Sequence, residues 1–188
     1  MKFRKPSLAA AGAVGLIVLS GFGPATPAHA SVQSCITGTS YTANTRAAGW
    51  LPSDTGSIWM SAPGTISFNQ TKTVNTSATY SGSVAVTVND VIASATATFG
   101  VSYTIGSSIT TSWTYSKPAP SGILGRMLIL RASDKIGFTK VTDNSNCTNT
   151  TTSGLLLYAP RGADTNANTC MIMDLWPAKT NWSATCVD

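Results

Sequence analysis

The chain contains no glutamate, and its single histidine, His29, lies in an N-terminal stretch that reads as a removable leader. Without histidine the remaining chain builds neither a Ser-His-Asp nor a Cys-His catalytic unit, nor the usual histidine-bearing zinc site; without glutamate it loses one of the two common carboxylate bases. All seven acidic residues are aspartates. A paired-aspartate hydrolase is the one familiar acid–base arrangement left. Three of them sit in turn-like contexts, Asn89-Asp90, Ser133-Asp134-Lys135 and Asp143-Asn144-Ser145, where a turn role explains them more simply. Asp164-Thr165-Asn166 lacks the glycine and distal glutamate of an EF-hand loop, and no Cys-x-x-Cys spacing occurs. The expectation is a protein that is not an enzyme and carries no cofactor or metal.

Charge is also scarce. Residues 1–30 have a basic start (Lys2, Arg4, Lys5), an apolar run from Leu8 to Leu19 and a small-x-small ending at Ala28-His29-Ala30, the pattern of a secretory signal peptide cleaved before Ser31. Removing three of the twelve basic residues leaves nine against seven aspartates, so the formal charge falls from +5 to +2. No basic cluster remains to bind nucleic acid. No later stretch is apolar and long enough for a spanning helix. The expected product is secreted and extracellular, one domain over residues 31–188, large enough for a real core. Four cysteines in an exported chain imply two disulfides among Cys35, Cys147, Cys170 and Cys186. Of three connectivities, a local Cys170–Cys186 bridge and a long-range Cys35–Cys147 bridge are favoured.

What the chain does have is alternation. From Lys72 to Val88, Val74, Ala78, Tyr80, Val84, Val86 and Val88 are apolar while Thr73, Asn75, Ser77, Thr79, Ser81, Ser83 and Thr87 are polar; from Val91 to Tyr115, Val91, Ala93, Ala95, Ala97, Phe99, Val101, Tyr103 and Ile105 are apolar while Ser94, Thr96, Thr98, Ser102 and Thr104 are polar. A two-residue turn at Asn89-Asp90 brings the two runs into register, with Val88 opposite Val91, Val84 opposite Ala95, Tyr80 opposite Phe99 and Val74 opposite Ile105. The fold class expected is all-β, an elongated antiparallel sheet or sandwich built on this hairpin. Shorter strands are expected at 40–45, 57–61, 123–131, 135–142, 155–159 and 170–176, with a Ser133-Asp134 turn, a polar loop over 144–152 and no helix. Trp50 and Trp59 read as core or seam residues, and Trp113, Trp176 and Trp182 as a weaker sugar-binding alternative. Arg126, Arg131, Lys135 and Lys140 read as a solvated face, or a contact for acidic headgroups.

Lys72–Val88 extended spans roughly 56 Å at about 3.3 Å per residue, far beyond a common strand. Two explanations stand. In one, Tyr80, Val84, Val86, Val88, Val91, Ala93, Ala95, Ala97 and Phe99 form a lipid face, Ser and Thr a wet lumen face, Tyr80 and Phe99 an aromatic girdle and Asn89-Asp90 the tip. In the other, the strands bend at Gly82 and Gly100 and the same apolar residues are core.

The alternating Ser67–Tyr115 segment with a central turn, followed by the Pro-containing break Lys117–Gly122 and a second strand pair, resembles the pore-forming module of aerolysin-type and ETX/MTX2-type β-toxins over about 65–142. It is also similar in style to small secreted Ser/Thr-rich proteins of actinobacteria. The resemblance implies soluble monomers that oligomerise and insert a hairpin, although no separate receptor-binding domain is evident. The function expected is a secreted non-catalytic interaction or adaptor protein with a protein or co-secreted partner. The alternative is a membrane-acting, homo-oligomeric pore component inserting Thr79–Gly100.

Overall fold

A computed structural model describes residues 35–162 and 168–186; the leader and Asp164 lie outside the described residues. The architecture is mostly antiparallel β: β1 (Gly38–Gly56), β2 (Thr65–Ser77), β3 (Thr79–Ser81), α1 (Val88–Phe99), β4 (Gly106–Pro118), β5 (Gly125–Asp143), β6 (Asn149–Pro160) and β7 (Thr169–Leu175). The favoured disulfides are the ones formed, Cys35–Cys147 and Cys170–Cys186. They are compatible with an oxidising, extracellular environment.

β5 is the spine. It pairs along one edge with β1, and along the other first with β7 (Gly125–Arg131) and then with β6 (Ser133–Asp143), while β3 extends the sheet beyond β6. A strand flanked on both edges and covered on both faces reads as a continuous apolar run, which Met127-Leu128-Ile129-Leu130 supplies, all nearly inaccessible to solvent. The turn expected at Ser133-Asp134 does not form: both residues are buried in the middle of β5, and the two strands expected at 123–131 and 135–142 are one. The polar loop expected over 144–152 is shorter, because β6 begins at Asn149. The strand expected at 57–61 is reduced to a single bridge, Met60 with Gly125.

β2 and β4 form a separate two-stranded sheet. Ile66, Phe68, Val74, Ile109, Trp113 and Tyr115 face inward and pack with Met127 and Ile129 of β5 and with Met171 and Met173 of β7. The opposite face is a row of hydroxyls, with Thr71 and Ser112 oxygens 2.8 Å apart and Thr73 and Thr110 oxygens 2.6 Å apart. A second core lies where α1 covers β1, β5 and β6, around Val91, Ala95, Ile136, Phe138 and Leu157. A third, smaller one gathers Leu128, Leu130 and Ile172 beside Trp50 and the Cys170–Cys186 bridge.

The hairpin is therefore formed in its outer half only. The expected faces are correct, but the register differs by four residues: Val74 lies opposite Ile109, not Ile105, and pairing ends at Ser77 with Gly106. Between those ends the expected strands are replaced by short β3 and by α1. The reason is a second periodicity in the same residues. Val88, Val91, Ile92, Ala95 and Phe99 recur at helical spacing, and Ile92 is apolar where the strand pattern calls for a polar residue. Gly100 ends the helix in the left-handed region at φ 65°, and its N–H donates to the Thr96 carbonyl.

Candidate functional site

Residues 78–105 make an arm that leaves the end of the β2–β4 ladder, lies on the main sheet and returns. Asp90 is its only charged residue. The ascending leg is held by the β3–β6 pairing, by Lys140 Nζ donating to the Ala85 carbonyl (2.7 Å) and by the Thr87 N–H donating to the Tyr41 hydroxyl (3.0 Å). α1 is pinned where the Ala43 N–H donates to Ser94 Oγ (3.0 Å). The descending leg is held by the Thr104 N–H donating to the Pro160 carbonyl (3.1 Å) and the Gly162 N–H to the Ser102 carbonyl (2.9 Å).

Between those two bonds the Tyr103 hydroxyl donates to Asp134 Oδ2 at 2.7 Å. Asp134 is fully buried; Arg46 Nε donates to the same oxygen, and Arg161 donates to Oδ1 through Nε (3.0 Å) and Nη2 (2.7 Å). Burial pushes the Asp134 carboxyl up, but the hydrogen bonds from Arg161, Arg46 and Tyr103 outweigh it and hold it below the usual carboxylate range. Burial, reinforced by the bond to Asp134, pushes the Tyr103 hydroxyl up. Nothing in the local sequence marks Asp134, because its partners come from β1, the arm and the residue after β6.

The structure brings the sequence-predicted residues into this arm but divides them. Val91 and Ala95 are fully buried; Tyr80, Val84, Val86, Val88 and Phe99 are half-buried; Ala93 and Ala97 are exposed, as are Asn89 and Asp90 in the first turn of α1. The predicted Asn89-Asp90 turn is thus a helix start, with Asp90 favourably placed in its first turn.

The arm's folded form is weakly supported by its own residues. Five of the twelve residues of α1 are β-branched (Val88, Val91, Ile92, Thr96, Thr98), its length is marginal for an isolated helix, and Thr87 at the N-cap makes no side-chain cap bond. The Tyr80 hydroxyl is buried with no partner among the described residues, at a cost of about 1–3 kcal/mol. Docking against Ile136, Phe138 and Leu157 holds the arm; local propensity contributes little.

Other predicted positions disperse. Arg131 is buried in β5 rather than solvated, and Arg126 pairs with Asp174 at 3.0 Å while lying 4.6 Å over the Trp59 ring. Trp113 is core, Trp176 stacks edge-on against Trp59, and Trp182 sits against Tyr158, so the three form no common sugar-binding surface. Among the described residues no helix is long and apolar enough to cross a bilayer. Comparison with protein-family models, curated proteins and solved structures finds no match for the chain.

Proposed function

We propose that the chain is a secreted, non-catalytic, membrane-acting protein that deploys the 78–105 arm as a β-hairpin and assembles with copies of itself into a pore, in the manner of the aerolysin-type proteins it resembles. The observation that carries this reading is what happens when the observed β2–β4 register is continued. Tyr80 falls opposite Tyr103, Val84 opposite Phe99, Val86 opposite Ala97 and Val88 opposite Ala95, on the same face as Phe68 and Trp113. On the other face Thr79 meets Thr104, Ser81 meets Ser102, Thr87 meets Thr96 and Asn89 meets Ser94, which prolongs the existing hydroxyl row. The first step of this continuation is already made, since the Ala78 N–H donates to the Ile105 carbonyl at 2.6 Å.

A segment that folds in part as a helix yet matches both faces of an adjacent ladder at eight of twelve rungs, the others being Gly82–Val101, Ser83–Gly100, Ala85–Thr98 and, at the tip, Asp90–Ala93, is compatible with a second structure. Each leg of the deployed hairpin has twelve residues, 79–90 and 93–104, about 40 Å of strand or about 30 Å after a tilt of about 40°. That exceeds the apolar band of about 25 Å, and the paired tyrosines lie at the base, where an interfacial girdle belongs. The tip becomes Asp90–Ala93 instead of Asn89-Asp90.

The test is dye release from liposomes by residues 31–188, with a parallel assay for detergent-resistant oligomers. Release accompanied by a defined oligomer is the expected result. Absence of both across neutral, anionic and sterol-containing vesicles would transfer the assignment to the adaptor reading, which one observation favours: Ile123, Leu124, Leu175 and Trp176 are exposed at the end of the molecule remote from the arm.

A further inference from the structure

In the folded arm Tyr103 bridges β1, β5 and the residue after β6 through Asp134; in the hairpin proposed above it would instead lie opposite Tyr80, and the two positions are incompatible. We propose that Tyr103 and its neighbours Ser102 and Thr104, clasped to Pro160–Gly162 and to Asp134, are a latch that adds to the docking of α1 and sets how often the arm opens. This rests on the reading of 78–105 as a deployable arm.

The construction of the ion cluster supports a latch over a plain structural contact. A buried carboxylate in the middle of a central strand is costly, and an apolar side chain there often serves stability equally well. Here the cluster is divided between parts that stay and a part that moves. Arg46 and Arg161 belong to the sheet and its margin, while Tyr103 is the arm's only member. When Tyr103 leaves, Asp134 keeps three of its four hydrogen bonds and both of its counter-charges, so opening never strands a buried charge. Closing adds one charge-assisted bond flanked by the two backbone bonds of the Tyr103–Arg161 bridge. The clasp is specific in position and inexpensive to undo, which a reversible restraint requires. It also controls the order of events, because the descending leg cannot meet Tyr80 until Tyr103 has left Asp134.

Two variants test the latch. Tyr103→Phe removes the hydroxyl and preserves the ring. Amide hydrogen exchange of Val91–Phe99 should accelerate about tenfold or more, while the amides shared by β5 and β6 exchange as in the wild type. The paired variant Ser102→Cys with Gly162→Cys closes the clasp covalently: a Cβ built on Gly162 lies 3.3 Å from that of Ser102, close to disulfide geometry. Its oxidised form should slow exchange in α1 and abolish vesicle leakage, whereas Ser102→Cys alone, nearly isosteric and with its backbone carbonyl still accepting from the Gly162 N–H, should still leak. Unchanged exchange in α1, or acceleration of all amides together, would overturn the latch. The oxidised paired variant leaking as fast as Ser102→Cys would do the same. Selective acceleration in Tyr103→Phe, with no leakage from any form, would uphold the latch and refute the membrane reading, so the two fail separately.

Discussion

Replacing Ala97 by lysine, and separately Thr98 by lysine, tests the proposed hairpin form of the arm in a single comparison. In the folded protein both side chains are exposed on α1, and lysine is a good helix former, so each change should alter stability by no more than about 0.5 kcal/mol. In the deployed hairpin the neighbours part company. Ala97 faces Val86 on the apolar side, five residues from the turn at Val91-Ile92 and hence about 16 Å along the strand, near the middle of a tilted bilayer crossing. A lysine there costs about 2–4 kcal/mol in each copy, equivalent to roughly 30-fold to 1000-fold. Thr98 faces Ala85 on the hydroxyl side, where a lysine points into water. Dye release at matched concentration should therefore be lost in Ala97→Lys and kept within a few-fold of wild type in Thr98→Lys, with equal urea midpoints. Equal leakage from the two variants would refute the strand-type alternation on which the reasoning depends, whatever its level.

Two further outcomes follow from the same geometry. Gly100→Ala strains the left-handed C-cap of α1 by about 1 kcal/mol without a clash, since nothing lies within 4 Å of the added Cβ, while in an extended strand the alanine is unstrained; faster exchange in α1 and about fivefold faster leakage are expected, and slower leakage would contradict it. Asp134 is held below the usual carboxylate range when folded, so its stabilisation is complete above the unfolded value of about 3.9 and is lost as pH falls through the lowered folded value. Urea midpoints of the wild type should thus fall steeply below about pH 4, whereas Asp134→Asn, weaker at neutral pH by about 3 kcal/mol, should show a shallower acid limb.

Much of the architecture was legible because it depends on patterns carried by consecutive residues. The inward faces of β2 and β4 follow from alternation, and the strand at β7 from its flanking turns. The register was not legible for a physical reason: shifting a ladder by four residues leaves every side chain on its original face, so Val74 satisfies the pattern opposite either Ile105 or Ile109. The helix is hard to read because Val88, Val91 and Ala95 fit periods of both two and 3.6; Ile92, apolar where alternation calls for a polar residue, is the signal within 88–99 that favours the helix. Asp134 was misread as a turn residue because a buried carboxylate declares itself only through partners distant in sequence, here Arg46, Tyr103 and Arg161. The residues expected to matter do converge on one element, but as an arm of short β3 and α1 instead of a formed hairpin.

The most direct measurement of the central claim is a scan of single cysteines, each carrying an environment-sensitive fluorophore, through residues 79–104 before and after addition of liposomes. In solution, accessibility should follow α1, with positions 91 and 95 shielded and 93, 97 and 98 open. On membranes it should change to a period of two, with 84, 86, 97 and 99 in lipid and 85, 87, 96 and 98 in water. A pattern that stays helical in the presence of leaking vesicles would contradict deployment of the arm as a hairpin.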